Sequence, residues 1–303
     1  MARTWLSSRA SAFGVGAALL CECACSDQDV VTLGRATPDP QFGDAGRPLA
    51  NINSAAADQT PTLTEDLLDI FFTSYRSGPG QGDVWHARRT SREEAFGDAS
   101  LVSELSTPSR EVSPAISRDG LSIWLASDRP GSVGGLDIWR AERPTRDALW
   151  DEPRLVSELN STSDDLPRPL AQQERVMPLA SKRMGGVLQT FLATRASLSA
   201  PFEVEPLGLQ SPAGMAGAFL SEDGRLLFFH RGADGGDLYL AWRRSPADPF
   251  EPPLPLETVN GLSSVERDPW VSGDQTRFFF SSDREPDTSF DIFATTLDLP
   301  VFE

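Results

Sequence analysis

The stretch SPAISRDGLSIWLASDRPGSVGGLDIW, residues 113–139, is spelled again in altered form along the chain, and this recurrence limits the possible folds more than any other feature. Each copy has a short apolar piece, a turn, a strand-like run, a Gly-rich loop and a second strand-like run. The first strand is centred on Leu63, Ile116, Leu170, Phe219 and Val271, at spacings of 53, 54, 49 and 52 residues. The second reads DIFFTS, SIWLAS, RVMPLAS, RLLFFH and RFFFSS. The third reads DVWHARR, DIWRAER, QTFLATR, DLYLAWRR and DIFATTL. A fourth follows a loop, as LVSEL at 101 and 155, EVEPLGL at 203 and LPLETV at 254. Four short strands in a repeat of about 50 residues imply an all-β fold, a five-bladed β-propeller with four antiparallel strands per blade.

The last repeat stops before a fourth strand. An aromatic residue precedes the fourth strand elsewhere, at Phe96, Trp150, Phe202 and Phe250, and stepping back 54 residues from Phe96 reaches Phe42. Segment 42–53 is therefore expected to complete the last blade and close the ring, giving one propeller domain over 42–303. The aromatics Trp85, Trp139, Phe191, Tyr239 and Phe293 read as packing between blades. The DG pairs at 119–120 and 223–224 read as hairpin turns.

Residues 1–25 read as a targeting signal: two arginines, a short apolar stretch, then CECAC. All three cysteines lie there, at 21, 23 and 25. Cys25 behind Ala24 fits a lipidated cysteine, with Cys21 or simple cleavage as alternatives. Residues 26–41 read as a flexible tether. The expected location is outside the cytoplasm, on the periplasmic side of the outer membrane or at the cell surface. The only membrane attachment expected is through the N-terminal lipid.

A net charge of −17 excludes a nucleic-acid surface. No GxSxG is present, and two histidines with no cysteine after Cys25 leave no zinc cluster. His86 and His230 read as framework positions equivalent to Arg140 and, roughly, Asp128. SRDGLSIW has the wrong spacing for the Asp-box of sialidases, and no pair of carboxylates stands out for glycoside hydrolysis. A calcium site at SDD 163–165 lacks EF-hand spacing. The expectation is a non-enzymatic protein, with no metal and no cofactor.

An arginine follows each second strand: Arg76, Arg129, Arg183, Arg231 and Arg284. Aspartates open four third strands, at 83, 137, 237 and 291. One reading pairs each arginine with that aspartate inside its blade. The other is an arginine ring that binds an anionic group. Repeat three has Gln189 in place of the aspartate and Pro178 inside its second strand, so Arg183 is expected to be the freest arginine and a binding residue.

The pieces SPAISRDGLSIWLASDR…GGLDIW and SEDGRLLFFHR…GGDLYL resemble the TolB-like, Pro-Asp-type, WD-like propeller repeat. That resemblance covers 42–303. It implies a monomeric envelope protein that binds a protein, or peptidoglycan or another glycan, without catalysis. The alternative is a glycan-active enzyme, a glycosidase or lyase, working in the central funnel. Ligand contacts are expected on the face shared by the second-to-third and fourth-to-first loops.

Overall fold

The structure is a computed structural model that describes residues 38–76, 78–209, 211–232, 236–284 and 289–299. The targeting signal, Cys25 and most of the expected tether lie outside the described residues. The described residues form twenty-one strands in five sheets. It opens with β1 (Gln41–Phe42) and β2 (Arg47–Pro48). Blade one is β3 (Asp58–Leu63), β4 (Asp69–Ser74), β5 (Asp83–Arg88) and β6 (Ser100–Leu101). Blade two is β7 (Glu111–Ile116), β8 (Ser122–Ser127), β9 (Asp137–Glu142) and β10 (Arg154–Leu155). Blade three is β11 (Asp165–Pro167), β12 (Val176–Ser181), β13 (Gln189–Thr194) and β14 (Glu203–Pro206). Blade four is β15 (Met215–Leu220), β16 (Leu226–Arg231), β17 (Leu238–Trp242) and β18 (Leu254–Pro255). Blade five is β19 (Glu266–Val271), β20 (Arg277–Ser282) and β21 (Asp291–Asp298), completed from the other end of the chain. This is the expected five-bladed propeller.

The hydrophobic core is divided accordingly. Five apolar clusters each lie between two neighbouring blades, because a four-stranded sheet buries both faces only when flanked on both sides. The third-strand aromatics belong to these clusters, as expected. Every first strand also donates its opening N–H to the carbonyl just before the third strand of the preceding blade. The pairs are Asp58 to Phe290 at 2.7 Å, Glu111 to Gly82 at 2.8 Å, Asp165 to Leu136 at 2.7 Å, Met215 to Leu188 at 2.9 Å and Glu266 to Gly236 at 2.7 Å. The last pair links blade four to blade five and the first links blade five to blade one, so the series closes.

Closure uses the predicted segment. Arg47 and Pro48 pair with Ala294 and Phe293, and Gln41 and Phe42 pair with Asp298 and Leu297. Gln41 is thus part of the blade, not of the tether. Phe42 meets Phe278 edge-on at 5.1 Å. Between the two pairs the chain turns at Gly46, φ 96°, where an added Cβ would come within 2.8 Å of the Phe280 ring. Asn53 then holds Ile292 through both its amide groups, at 2.8 and 3.0 Å.

Two strand details differ from the sequence reading. Leu220, not Phe219, matches Leu63 and Ile116: it pairs with Leu227 as they pair with Ile70 and Ile123, past a bulge that all three inner strands share. Pro178 does not weaken β12. Its carbonyl accepts from Arg168 N at 3.0 Å, so its missing N–H faces the inner side, where β11 has ended, and the ladder to β13 is intact.

Removing the Phe42 ring should loosen the seam between the chain ends. Phe42→Ala is expected to lower stability by about 2 kcal/mol in urea unfolding. Leu149→Ala, at a residue 74% exposed, should change it by less than about 0.5 kcal/mol.

Candidate functional site

The arginines after the second strands are built into the blades. Four of the five sit two residues beyond a serine, in the pattern S-x-R. The guanidinium Nε of Arg76, Arg129, Arg183 and Arg284 donates to Ser74, Ser127, Ser181 and Ser282, at 2.7, 3.1, 2.9 and 2.9 Å. Nη2 donates to a carbonyl in the loop entering the same blade: Ile52, Leu105, Leu159 and Val259 respectively. It also faces the acid that opens the first strand, at 2.7 Å from Asp58, 3.2 Å from Glu111, 2.6 Å from Asp165 and 2.9 Å from Glu266. The flat face lies over the third-strand aromatic, 4.6 Å from Trp85 and 5.1 Å from Phe191.

This arrangement corrects both sequence readings. The partner is the first-strand acid, not the third-strand aspartate. Asp83 and Asp137 hold the Gly-rich loop instead, accepting from Gly80 N and from Val133 N and Gly134 N. Arg183 is not free: Asp165, Leu159 and Ser181 take its donors. The expected arginine ring therefore has its donors turned into the protein. The acids of SDD are occupied too, Asp164 by Lys182 at 2.7 Å and Asp165 by Arg183.

Blade four is the exception. Met215 stands in the acid's place and pairs across to Arg231, which occupies the serine position rather than the arginine position. Arg231 still reaches the aromatic slot, 4.6 Å from Tyr239, but its Nε has no hydrogen-bond acceptor among the described residues.

The same register corrects His230. It aligns with Thr73, Ala126, Ala180 and Ser281, the fifth residue of each second strand, not with Asp128. These residues line the axis. The inner strands bulge at Thr60, Ser113, Gly217 and Asp268, all with φ between 53° and 62°. Where the preceding blade offers a side-chain acceptor, the bulge N–H uses it. Thr60 donates to Ser281 Oγ at 3.2 Å, Ser113 to Thr73 Oγ1 at 3.0 Å, and Asp268 to His230 Nδ1 at 3.3 Å.

Blade three cannot bulge there, since Pro167 holds φ near about −65°. Its next residue, Arg168, extends across the axis. Nη2 donates to Pro269 O of blade five at 3.0 Å, and Nη1 stands 3.8 Å from Asp268 Oδ1. Arg168 is 2% exposed, and its Nε and Nη1 have no hydrogen-bond acceptor among the described residues. Above it, residues of all five blades enclose a pocket of about 200 Å³ that opens on the face of the second-to-third and fourth-to-first loops. Beyond the Arg168–Pro269 crossing, the other end of the axis is a smaller apolar recess of about 60 Å³ lined by Leu63, Phe219 and Trp270.

Burial dominates the electrostatics of the pocket. It pulls the Arg168 guanidinium below its ordinary value, opposed by Asp268. It pulls the His230 imidazole down to about 4, again opposed by Asp268 and reinforced by Arg267 and Arg168. His230 is therefore neutral near pH 7. Because Nδ1 accepts the Asp268 N–H, its proton sits on Nε2. Asp268 is the only carboxylate lining the pocket among the described residues, beside Arg168, Arg267 and Arg110, the last paired to Asp128 at 2.9 Å. Sequence reasoning missed Arg168, Asp268 and Arg267. The signal was present in the first strands, where blade three puts Arg168 in the slot filled by Pro61, Pro114 and Pro269.

No protein-family model matches the chain, and no curated protein does. Among solved structures, α-L-arabinofuranosidase from Lactobacillus brevis is similar over 81% of this chain and 92% of its own, at 14% identity and a TM-score of 0.57. A thermostable family-43 glycoside hydrolase is similar over 85% and 94%, at 9% identity and a TM-score of 0.55. TolB from Acinetobacter baumannii is similar over 82% of this chain, at 16% identity and a TM-score of 0.48, and the chain spans 56% of that protein's length. At these identities the likeness concerns the propeller fold alone.

Arg129→Ala leaves Glu111 buried without its cation and should cost about 3 kcal/mol in denaturant unfolding. Arg231→Ala, with Met215 where that acid would be, should cost about 1 kcal/mol. His230 binds fewer protons in the folded chain than in the unfolded one between pH 4 and its ordinary value near 6.5. Its contribution is complete above that window and is lost as pH falls through it, by up to roughly 3 kcal/mol. His230→Gln should therefore flatten the fall in melting temperature between pH 7 and pH 4 relative to the parent chain.

Proposed function

We propose that this protein is an exported, non-enzymatic binding protein of the cell envelope that receives its partner on the loop face around the axial pocket. The observation that carries the reading is the composition of that pocket. Among the described residues it pairs a single carboxylate, Asp268, with a desolvated arginine whose Nε and Nη1 have no acceptor. Glycoside hydrolysis by the usual routes needs two carboxylates flanking the bond, about 5–9.5 Å apart, and among the described residues the lining supplies one. The likeness to glycoside hydrolases therefore does not extend, in this reading, to their activity. Fold alone is silent on the point.

The loop face supports the same reading. Tyr75, Val133, Met184 and Leu262 stand 46%, 61%, 64% and 109% exposed, all on second-to-third or fourth-to-first loops. Exposed apolar residues on the loops of one face, with Tyr75 also lining the pocket, suit a protein or glycan partner better than they suit solvent. The N-terminal sequence supports export, with Cys25 as the proposed lipid anchor.

Cross-linking the full chain in native envelope extract tests this, alongside a Val133→Asp/Met184→Asp variant. The expected result is one reproducible partner that the variant captures at least about tenfold less. A partner captured equally by both would remove the loop face from the proposal. Turnover of aryl glycosides by the full chain, abolished in Asp268→Ala, would replace the binding reading with an enzymatic one.

A further inference from the structure

The axial pocket presents an unusual pair of unmet needs. Among the described residues Arg168 has two N–H bearing atoms, Nε and Nη1, with no acceptor, in a side chain only 2% exposed. A buried donor without a partner is costly, and more so when it is charged, so such groups are rare unless something fills them. Beside it, the Asp268 carboxylate accepts no hydrogen bond from the described residues. Its nearest cations, Arg168 Nη1 and Arg267 Nε, both stand 3.8 Å away, beyond hydrogen-bond reach. The site thus offers donors that seek an anion and, adjacent to them, an acceptor that seeks a hydroxyl.

A simple anion meets only half of this, because it places negative charge against Asp268 and gives that carboxylate no proton. A neutral polyol meets the other half and leaves Arg168 unfilled. A carboxylate with a neighbouring hydroxyl meets both. The enclosed volume of about 200 Å³ holds on the order of six or seven waters and lies below the range of about 300–1,000 Å³ usual for drug-sized ligands. It takes one ring-sized group. The charge of −17 on the chain repels a polyanion at long range, which favours a ligand with a single negative charge.

We infer that the axial pocket binds one hexuronate, free or at the end of a glycan, with its carboxylate on the Arg168 guanidinium and a ring hydroxyl donating to Asp268. The inference rests on the binding reading above and supplies its ligand class. His230, neutral and holding the Asp268 backbone, is a positioning residue for the acceptor.

Isothermal titration of the full chain with D-galacturonate and D-glucuronate tests it, with D-galactose, D-glucose and acetate as separate arms. At least one uronate should bind about tenfold or more tighter than its neutral sugar and than acetate. Arg168→Lys keeps the charge but loses the planar fork, and should weaken that uronate about tenfold or more. Asp268→Asn, a near-isosteric change that keeps the inner strand, should reduce uronate binding towards that of acetate, so the inference stays testable if Arg168→Lys fails to fold. Equal affinity for the neutral sugar would show that no carboxylate is read, and equal affinity for acetate that no hydroxyl is read; either overturns the inference. No uronate binding up to about 10 mM overturns it as well. If that failure comes with partner capture that still depends on Val133 and Met184, the binding function stands and only the ligand class falls.

Discussion

The structure depends on one repeated backbone contact. The opening N–H of each inner strand is held by a carbonyl of the preceding blade, and the contact occurs at all five seams. It fixes how far each blade turns from the last, so the ring closes after five. The arginine staples act at the same place. Each ties the loop entering a blade to the acid that opens its inner strand, so the crossover between blades is rigid where the backbone contact is made. Buried pairs of this kind contribute little net stability over an apolar filling, but they define one geometry. Blade four shows the apolar filling itself, with Met215 at the acid's position.

The polar character of the axis follows from that geometry. Five inner strands converge there, and the bulges of blades one, two and five point N–H groups at side chains of the preceding blade. Where the neighbour supplies Ser281 or Thr73, the contact is closed and inert. Where it supplies His230, a neutral imidazole ends up beside Asp268. Pro167 removes the bulge from blade three, and Arg168 crosses to blade five as a result. One proline in one repeat thus places a buried cation in the middle of a strongly acidic protein.

The repeat, the strand order and the closing segment were legible from local features alone. Phe42 could be found by counting back from Phe96, because an aromatic precedes the fourth strand in the other blades and the spacing is nearly constant. The loop face was legible for the same reason: antiparallel strands of known order fix which loops share an end. The arginines were legible as a repeated feature but not in their partners. In sequence Arg76 is nearer the aspartate of the third strand, whereas in the blade it turns back to Asp58. Arg231 looked equivalent to the others because it follows its strand directly. Its pairing with Met215 shows that it stands two positions early.

The sequence by itself determined the architecture, because period, turn residues and apolar alternation are local quantities that repeat five times and reinforce one another. Only the tertiary structure decided the site. Arg168 and the Pro269 carbonyl it reaches are 101 residues apart, and His230 and Asp268 are 38 apart in different blades. No periodic signal links such residues. They meet because the closed ring brings all five inner strands to one axis, where departures of single blades from the repeat face one another.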